Sequence, residues 1–157
     1  MPLRVGWVDD TAIIRALAVR IIERSGHACW SFPRHADLLD FDREQPLDVV
    51  VLQPEDPVSP RLTQQRLLAQ CPRRAIALAS GHSVERLRSL VDVDPATFDR
   101  FIPKPFDPRA LAAWLDGIEG NAAPGADQES AGIRIVPVRG LGLPPTPVWR
   151  RRLEAVV

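Results

Sequence analysis

Five short apolar runs alternate with stretches of helical periodicity along this chain. That alternation limits its fold more than any other feature. The clearest run lies in LDVVVLQPEDP at 47–57, where residues 49–52 read as a buried strand passing into a loop at Gln53. Similar runs occupy 3–8, 27–32, 75–79 and 98–102. Apolarity without strict alternation fits strands that are covered on both faces. Helices are expected between them over 11–24, 36–41, 61–70, 84–91 and from Asp107-Pro108 onward. The first carries Ile13, Ile14, Leu17, Ile21 and Ile22 as its apolar set, with Asp10 or Thr11 as cap and Ser25-Gly26 as stop. The fourth has Val84, Leu87, Leu90 and Val91 on one side, and a polar loop follows over 92–97. The last has Ala110, Leu111, Trp114, Leu115 and Ile118, and Pro108 suits a first helical position after an Asp cap. Strands recur about every 20 to 27 residues, and right-handed crossovers then give an α/β fold. It is a five-stranded parallel sheet with helices on both faces. Ligand crevices in such sheets lie at the carboxyl ends of the strands. Asp9, Asp10, Gln53, Ser80 and Lys104 all fall there.

The chain has 157 residues, enough for one compact domain with an appendage. Three segments are expected: a domain over 1–120, an Ala-, Gly- and Pro-rich linker over 121–132, and a C-terminal tail over 133–157. The tail contains a short alternating run, IRIVPV, and a short amphipathic helix after Thr146-Pro147 with Trp149, Leu153 and Val156 on one side. From residue 121 onward five arginines face three acids, against zero net charge overall. A chain with no net charge is not drawn as a whole to nucleic acid or to an anionic membrane. No apolar run reaches the roughly 18 residues of a membrane span, and MPLRVGWVDD is not a signal peptide. Cys29 and Cys71 match no metal or redox spacing. They read as reduced thiols of a cytoplasmic protein.

VDD at 8–10, the strand-end position at Gln53, ASG at 79–81 and FIPKPF at 101–106 resemble, in order and spacing, the receiver domains of two-component response regulators. The resemblance covers about residues 3–119 and implies a flavodoxin-like fold. It makes Asp9 and Asp10 the Mg²⁺ pair, Ser80 the switch hydroxyl, Phe101 the switch aromatic and Lys104 the phosphate-facing lysine. It also implies a cis Lys104–Pro105 peptide. Gln53 stands where receivers carry the phospho-accepting aspartate. A neutral amide oxygen forms no usable acyl phosphate, and loss of its charge weakens the Mg²⁺ site. The expected site is therefore degenerate, with Gln53 hydrogen-bonded to Lys104. Glu55 and Asp56 lie in a proline-rich loop beyond the strand end and are poor substitutes.

The function expected is that of a pseudo-receiver that binds protein partners (a histidine kinase, a regulator or an enzyme) without phosphorylation and without a required cofactor. Arg86, Arg88, Leu90 and Arg109 are its interaction residues by resemblance, on a face through which receivers also form homodimers. Trp149 and Leu153 are the tail's anchors, with the tail either covering that face or docking elsewhere. Two other classes compete. A nucleic-acid-associated regulator would use Arg150–Arg152, a thin phosphate footprint. An Mg²⁺-dependent phosphatase would need its strand-end aspartates one residue apart and a further acidic pair near the fourth strand, whereas Asp9 and Asp10 are adjacent and ALASGHS supplies no such pair.

Overall fold

The computed structural model describes residues 2–90 and 93–121. Its five parallel strands are β1 (Arg4–Val8), β2 (Ala28–Phe32), β3 (Val49–Leu52), β4 (Ala75–Ser80) and β5 (Arg100–Pro103), in the order β2-β1-β3-β4-β5. The helices are α1 (Ala12–Arg24), α2 (His35–Glu44), α3 (Pro60–Gln70), α4 (Val84–Leu90) and α5 (Pro108–Asn121). This is the five-stranded, doubly covered α/β sheet read from the sequence.

Successive strand side chains point to opposite faces, and each strand divides between two cores. Val5 and Trp7 of β1, Val49 and Val51 of β3, and Ala75, Ala77 and Ala79 of β4 join Ala18 and Ile22 of α1 and Leu111, Trp114 and Leu115 of α5. Val8, Val50, Leu52, Ile76 and Leu78 join Leu38 of α2, Leu67 of α3 and Leu87 of α4. The small alanines of β4 share their face with Trp7, Phe106 and Trp114, so small and large residues interlock. Each fully buried Val, Leu or Ile stabilises the fold by about 1.5–3 kcal/mol relative to exposure. Gly6 permits a close approach: a Cβ there would lie 2.5 Å from Leu47 Cδ1 and 2.9 Å from Leu38 Cδ1. Gly26 ends α1 at φ +89°, a conformation that favours glycine.

Several local expectations are corrected. Ile13 and Leu17 do not join the core; they are 76% and 47% exposed. Ala110 is likewise exposed. Helix α2 is longer than 36–41: it runs over His35–Glu44 and buries His35 and Asp42 along with Leu38. The segment expected as a polar loop over 92–97 holds the buried Val93 and a 3-10 turn, Pro95–Thr97, capped by the Asp94 carboxylate, which accepts from the Ala96 N–H at 3.0 Å. Strand β5 starts at Arg100, not at residue 98, because Phe98 packs into the second core before pairing begins. Thr11 stands at the α1 cap but makes no capping bond; its own N–H instead donates to Asp9 Oδ1 at 2.9 Å. The linker and tail expected over 122–157, with Trp149 and Leu153, lie outside the described residues, as does the Leu90 side chain.

Candidate functional site

The carboxyl ends of β1, β3, β4 and β5 bring Asp9, Gln53, Ser80 and Lys104 to one edge of the sheet. Asp9 follows Val8 directly and is 1% exposed. Its backbone N–H donates to Phe32 O at 3.1 Å, continuing the β1–β2 ladder, and its carbonyl accepts from Arg15 Nη1 at 2.8 Å. Both carboxylate oxygens are engaged. Oδ1 accepts from the Thr11 N–H and Oδ2 from Lys104 Nζ, which makes a short ion pair. Asp10 is exposed, and its carboxylate accepts from Thr11 Oγ1 at 3.2 Å.

Gln53, 2% exposed, does not bond Lys104 as the sequence suggested. Its Oε1 accepts from the Asp10 N–H at 3.2 Å. The ammonium takes the carboxylate because a charge-assisted hydrogen bond is about twice as strong as one to a neutral amide. Lys104 is the one lysine among 20 basic residues. A compact ammonium fits this edge where a planar guanidinium would need wider room. Its N–H donates to Ser80 O at 2.9 Å, and the Lys104–Pro105 peptide is cis. Ser80 is buried, and its Oγ accepts from the His82 N–H at 3.0 Å. Phe101 is half-buried against the second core. The two substitute carboxylates are otherwise occupied. Asp56 accepts from the His35 and Val58 N–H groups, and Glu55 lies 3.4 Å from His82 Nε2.

His35 is the residue that sequence reasoning missed. It opens α2, is 0% exposed, and joins Gln53 O at 2.9 Å to Thr63 Oγ1 at 2.8 Å. A carbonyl only accepts, so Nε2 carries the proton and Nδ1 accepts from the threonine hydroxyl. This clamp holds the main chain at Gln53 between α2 and α3. Burial pushes the His35 pKa down, opposed by the Asp56 charge and the Gln53 carbonyl. An unfolded chain then binds a proton that the folded one lacks. Stability is complete above the ordinary histidine value of 6.5 and falls as pH drops below it. In His35→Gln this acid-side slope should flatten in urea titrations between pH 5 and 7; an unchanged slope would remove His35 as its source.

His27, Asp116 and Glu119 have metal-ligand spacing at the opposite edge of the sheet. His27 Nδ1 accepts from the Leu3 N–H at 3.2 Å, which leaves the proton on Nε2 facing Asp116 at 3.4 Å. A metal would require that nitrogen's lone pair, so the group reads as a hydrogen-bonded cluster. Cys29 and Cys71 are free. Burial, and then the charge of Glu23, push the Cys29 thiol up to about 12, far from a reactive thiolate. Among the described residues no helix is long and apolar enough to cross a membrane.

The sheet order, the two covered faces and the acid–lysine edge define the receiver fold of the flavodoxin-like class. No family model and no curated protein matches the sequence. Solved structures share the fold. The BeF3-activated DrrB receiver domain has a TM-score of 0.63 at 22% identity, with 76% of this chain and 99% of that one covered. A response regulator from Thermotoga maritima gives 0.66 at 17% identity, covering 76% and 99%. NtrX from Brucella abortus, solved in complex with ATP, gives 0.68 at 18% identity, with 88% of this chain covered but 31% of NtrX.

Proposed function

We propose that this chain is a cytoplasmic signalling protein whose pseudo-receiver domain recognises protein partners without being phosphorylated. One observation carries the reading. The position from which a receiver's aspartate would attack holds Gln53, whose amide oxygen is already bonded to the Asp10 N–H. An amide offers neither the charge nor the basicity for attack on phosphorus. The residues also fit Mg²⁺ poorly. That ion wants a near-octahedral set of oxygens, while both Asp9 oxygens and Gln53 Oε1 are taken by donors within the fold. Lys104 supplies the positive charge that balances Asp9. The edge is thus satisfied internally and stays in one state.

Partners then meet a constant surface. Arg86, Arg88 and Arg109 are exposed on α4 and α5, and Arg88 leans on Asp94 at 3.4 Å. By analogy with receivers this α4–β5–α5 face is the docking surface, and no reaction is assigned to the chain. A phosphatase reading gains nothing, since Ser80-Gly81-His82 at the end of β4 supplies no acidic pair. The test is intact mass after incubation with acetyl phosphate and MgCl2. The native chain should gain no phosphoryl increment, and a stoichiometric adduct would overturn the proposal.

A further inference from the structure

Between α2 and α3 the surface sinks into a groove of about 490 Å³, within the roughly 300–1,000 Å³ of small-molecule sites. Its floor is apolar: Ala36 and Leu39 of α2 face Val58, just before α3, and Ala69 within it. Leu62, 41% exposed, stands one turn before Arg66 on α3 and extends the apolar strip. The two walls are pinned from below. His35 Nδ1 accepts from Thr63 Oγ1 at 2.8 Å in the core. At one end Asp56 accepts from the His35 N–H at 3.0 Å and from the Val58 N–H at 2.9 Å. A groove held in this way needs little ordering when a ligand enters.

Its charges do not cancel. Asp40 and Arg43 of α2 both line the groove and neutralise each other in an ion pair on their own helix. Among the described residues the guanidinium of Arg66, which lines the opposite wall, has no ion-pair or hydrogen-bond partner. The surroundings do not offset it. Helix α3 carries Arg61 and Arg66 and no acid. On α2, Asp37 and Glu44 are exposed but do not line the groove, and both Asp56 oxygens are engaged. Gln70, one turn beyond Arg66, adds an uncharged amide. One uncompensated positive charge thus stands beside an apolar floor.

We infer that this groove binds a small organic monoanion with an apolar body, a carboxylate or sulfonate on an aromatic or branched aliphatic frame. The anionic head accepts from Arg66, whose planar fork matches two oxygens at once. The body lies over Leu39, Val58 and Ala36. Arg66 sits roughly 9 Å along α3 from Pro60, at 1.5 Å per helical residue. The negative charge of Asp56 stands at the other end, beside Val58, so a ligand enters with its head towards Arg66. A nucleotide or a phosphate dianion would want more positive charge than one free guanidinium supplies. The inference does not depend on whether residue 53 can be phosphorylated.

Fluorescence titration of the native full chain tests this. The anionic probe is anilinonaphthalene sulfonate, and phenylnaphthylamine is the same aromatic amine without the sulfonate. The sulfonate should saturate at one per chain. Arg66→Gln should weaken it about tenfold, the lower end for losing a hydrogen bond to a charged group, and change phenylnaphthylamine binding by less than about twofold. Ala69→Trp fills the groove and should remove saturable binding of both probes. Arg66 and Ala69 are exposed, so both variants keep the fold, which equal urea midpoints verify. No saturable binding to the native chain, or binding that neither substitution weakens, would overturn the inference. So would binding lost only in Ile13→Asp/Leu17→Asp, which would place the probe on α1. Equal weakening of the two probes by Arg66→Gln would overturn the anionic class of ligand. None of these failures alters the outcome expected with acetyl phosphate.

Discussion

Replacing Arg74 with Met should cost the fold about 3–5 kcal/mol, the usual consequence of leaving a buried charge without its partner. Arg74 and Asp42 have side chains each 1% exposed, with Arg74 Nη1 2.5 Å from Asp42 Oδ1. That same oxygen accepts from the Leu47 N–H at 2.8 Å, so Asp42 also positions the chain just before β3. The pair is incompletely satisfied: Asp42 Oδ2 and Arg74 Nε have no hydrogen-bond partner, and Arg74 Nη1 meets Asp42 Oδ1 as an ion pair without hydrogen-bond alignment. Desolvation therefore consumes much of its Coulombic gain. Removing both charges in Asp42→Leu/Arg74→Met should accordingly restore much of the stability lost in the single variant. What remains is about 1–3 kcal/mol for the orphaned Leu47 N–H. Urea midpoints with unchanged slopes give both numbers. A single variant that loses under 1 kcal/mol would show that water reaches the guanidinium.

The central strands β1, β3 and β4 were legible because burial on both faces leaves an unbroken apolar signature; β3 begins and ends where VVVL does. The phase of α1 was not legible for the opposite reason. With Ile13, Ile14, Leu17, Ile21 and Ile22 spread around the helix, periodicity alone could not say which pair faces out. The site was legible as a set of strand ends and not as a set of bonds. Sequence order brings Asp9, Gln53, Ser80 and Lys104 together, but competition among donors decides that Lys104 takes Asp9 and leaves Gln53 to the Asp10 N–H. The solitary lysine in an arginine-rich chain was the available clue to that edge. His35 left no comparable trace. Its partners Gln53 and Thr63 lie 18 and 28 residues away and meet it only once α2 and α3 cover the same face. Asp56 looked like a spare carboxylate by its place in the chain, whereas the fold uses it to anchor the start of α2.

Gln53→Asp should turn an unreactive edge into one that takes a phosphoryl group from acetyl phosphate. The backbone at residue 53 is already held by the His35 bond to its carbonyl, so the substitution changes the side chain within a fixed frame. A carboxylate there adds a nucleophile and a third negative charge beside Asp9 and Asp10. At about 4 Å the added charge attracts a divalent cation by about 2–8 kcal/mol, twice the unit-charge value between water-like and surface-like screening. Isothermal titration with MgCl2 should therefore show the dissociation constant fall by a factor of at least about thirty. The variant also becomes less stable without metal. The Asp10 N–H loses its present acceptor, and a second carboxylate comes near the buried Asp9. Added Mg²⁺ should then raise the melting temperature of Gln53→Asp and leave the native chain unmoved. A phosphoryl adduct on the variant, mapped to residue 53, would mean that one side chain separates this edge from a working receiver. A variant as inert as the native chain would place the loss elsewhere. Lys104 bound to Asp9 would be the first suspect, since a cation must displace that ammonium before it can reach the carboxylate.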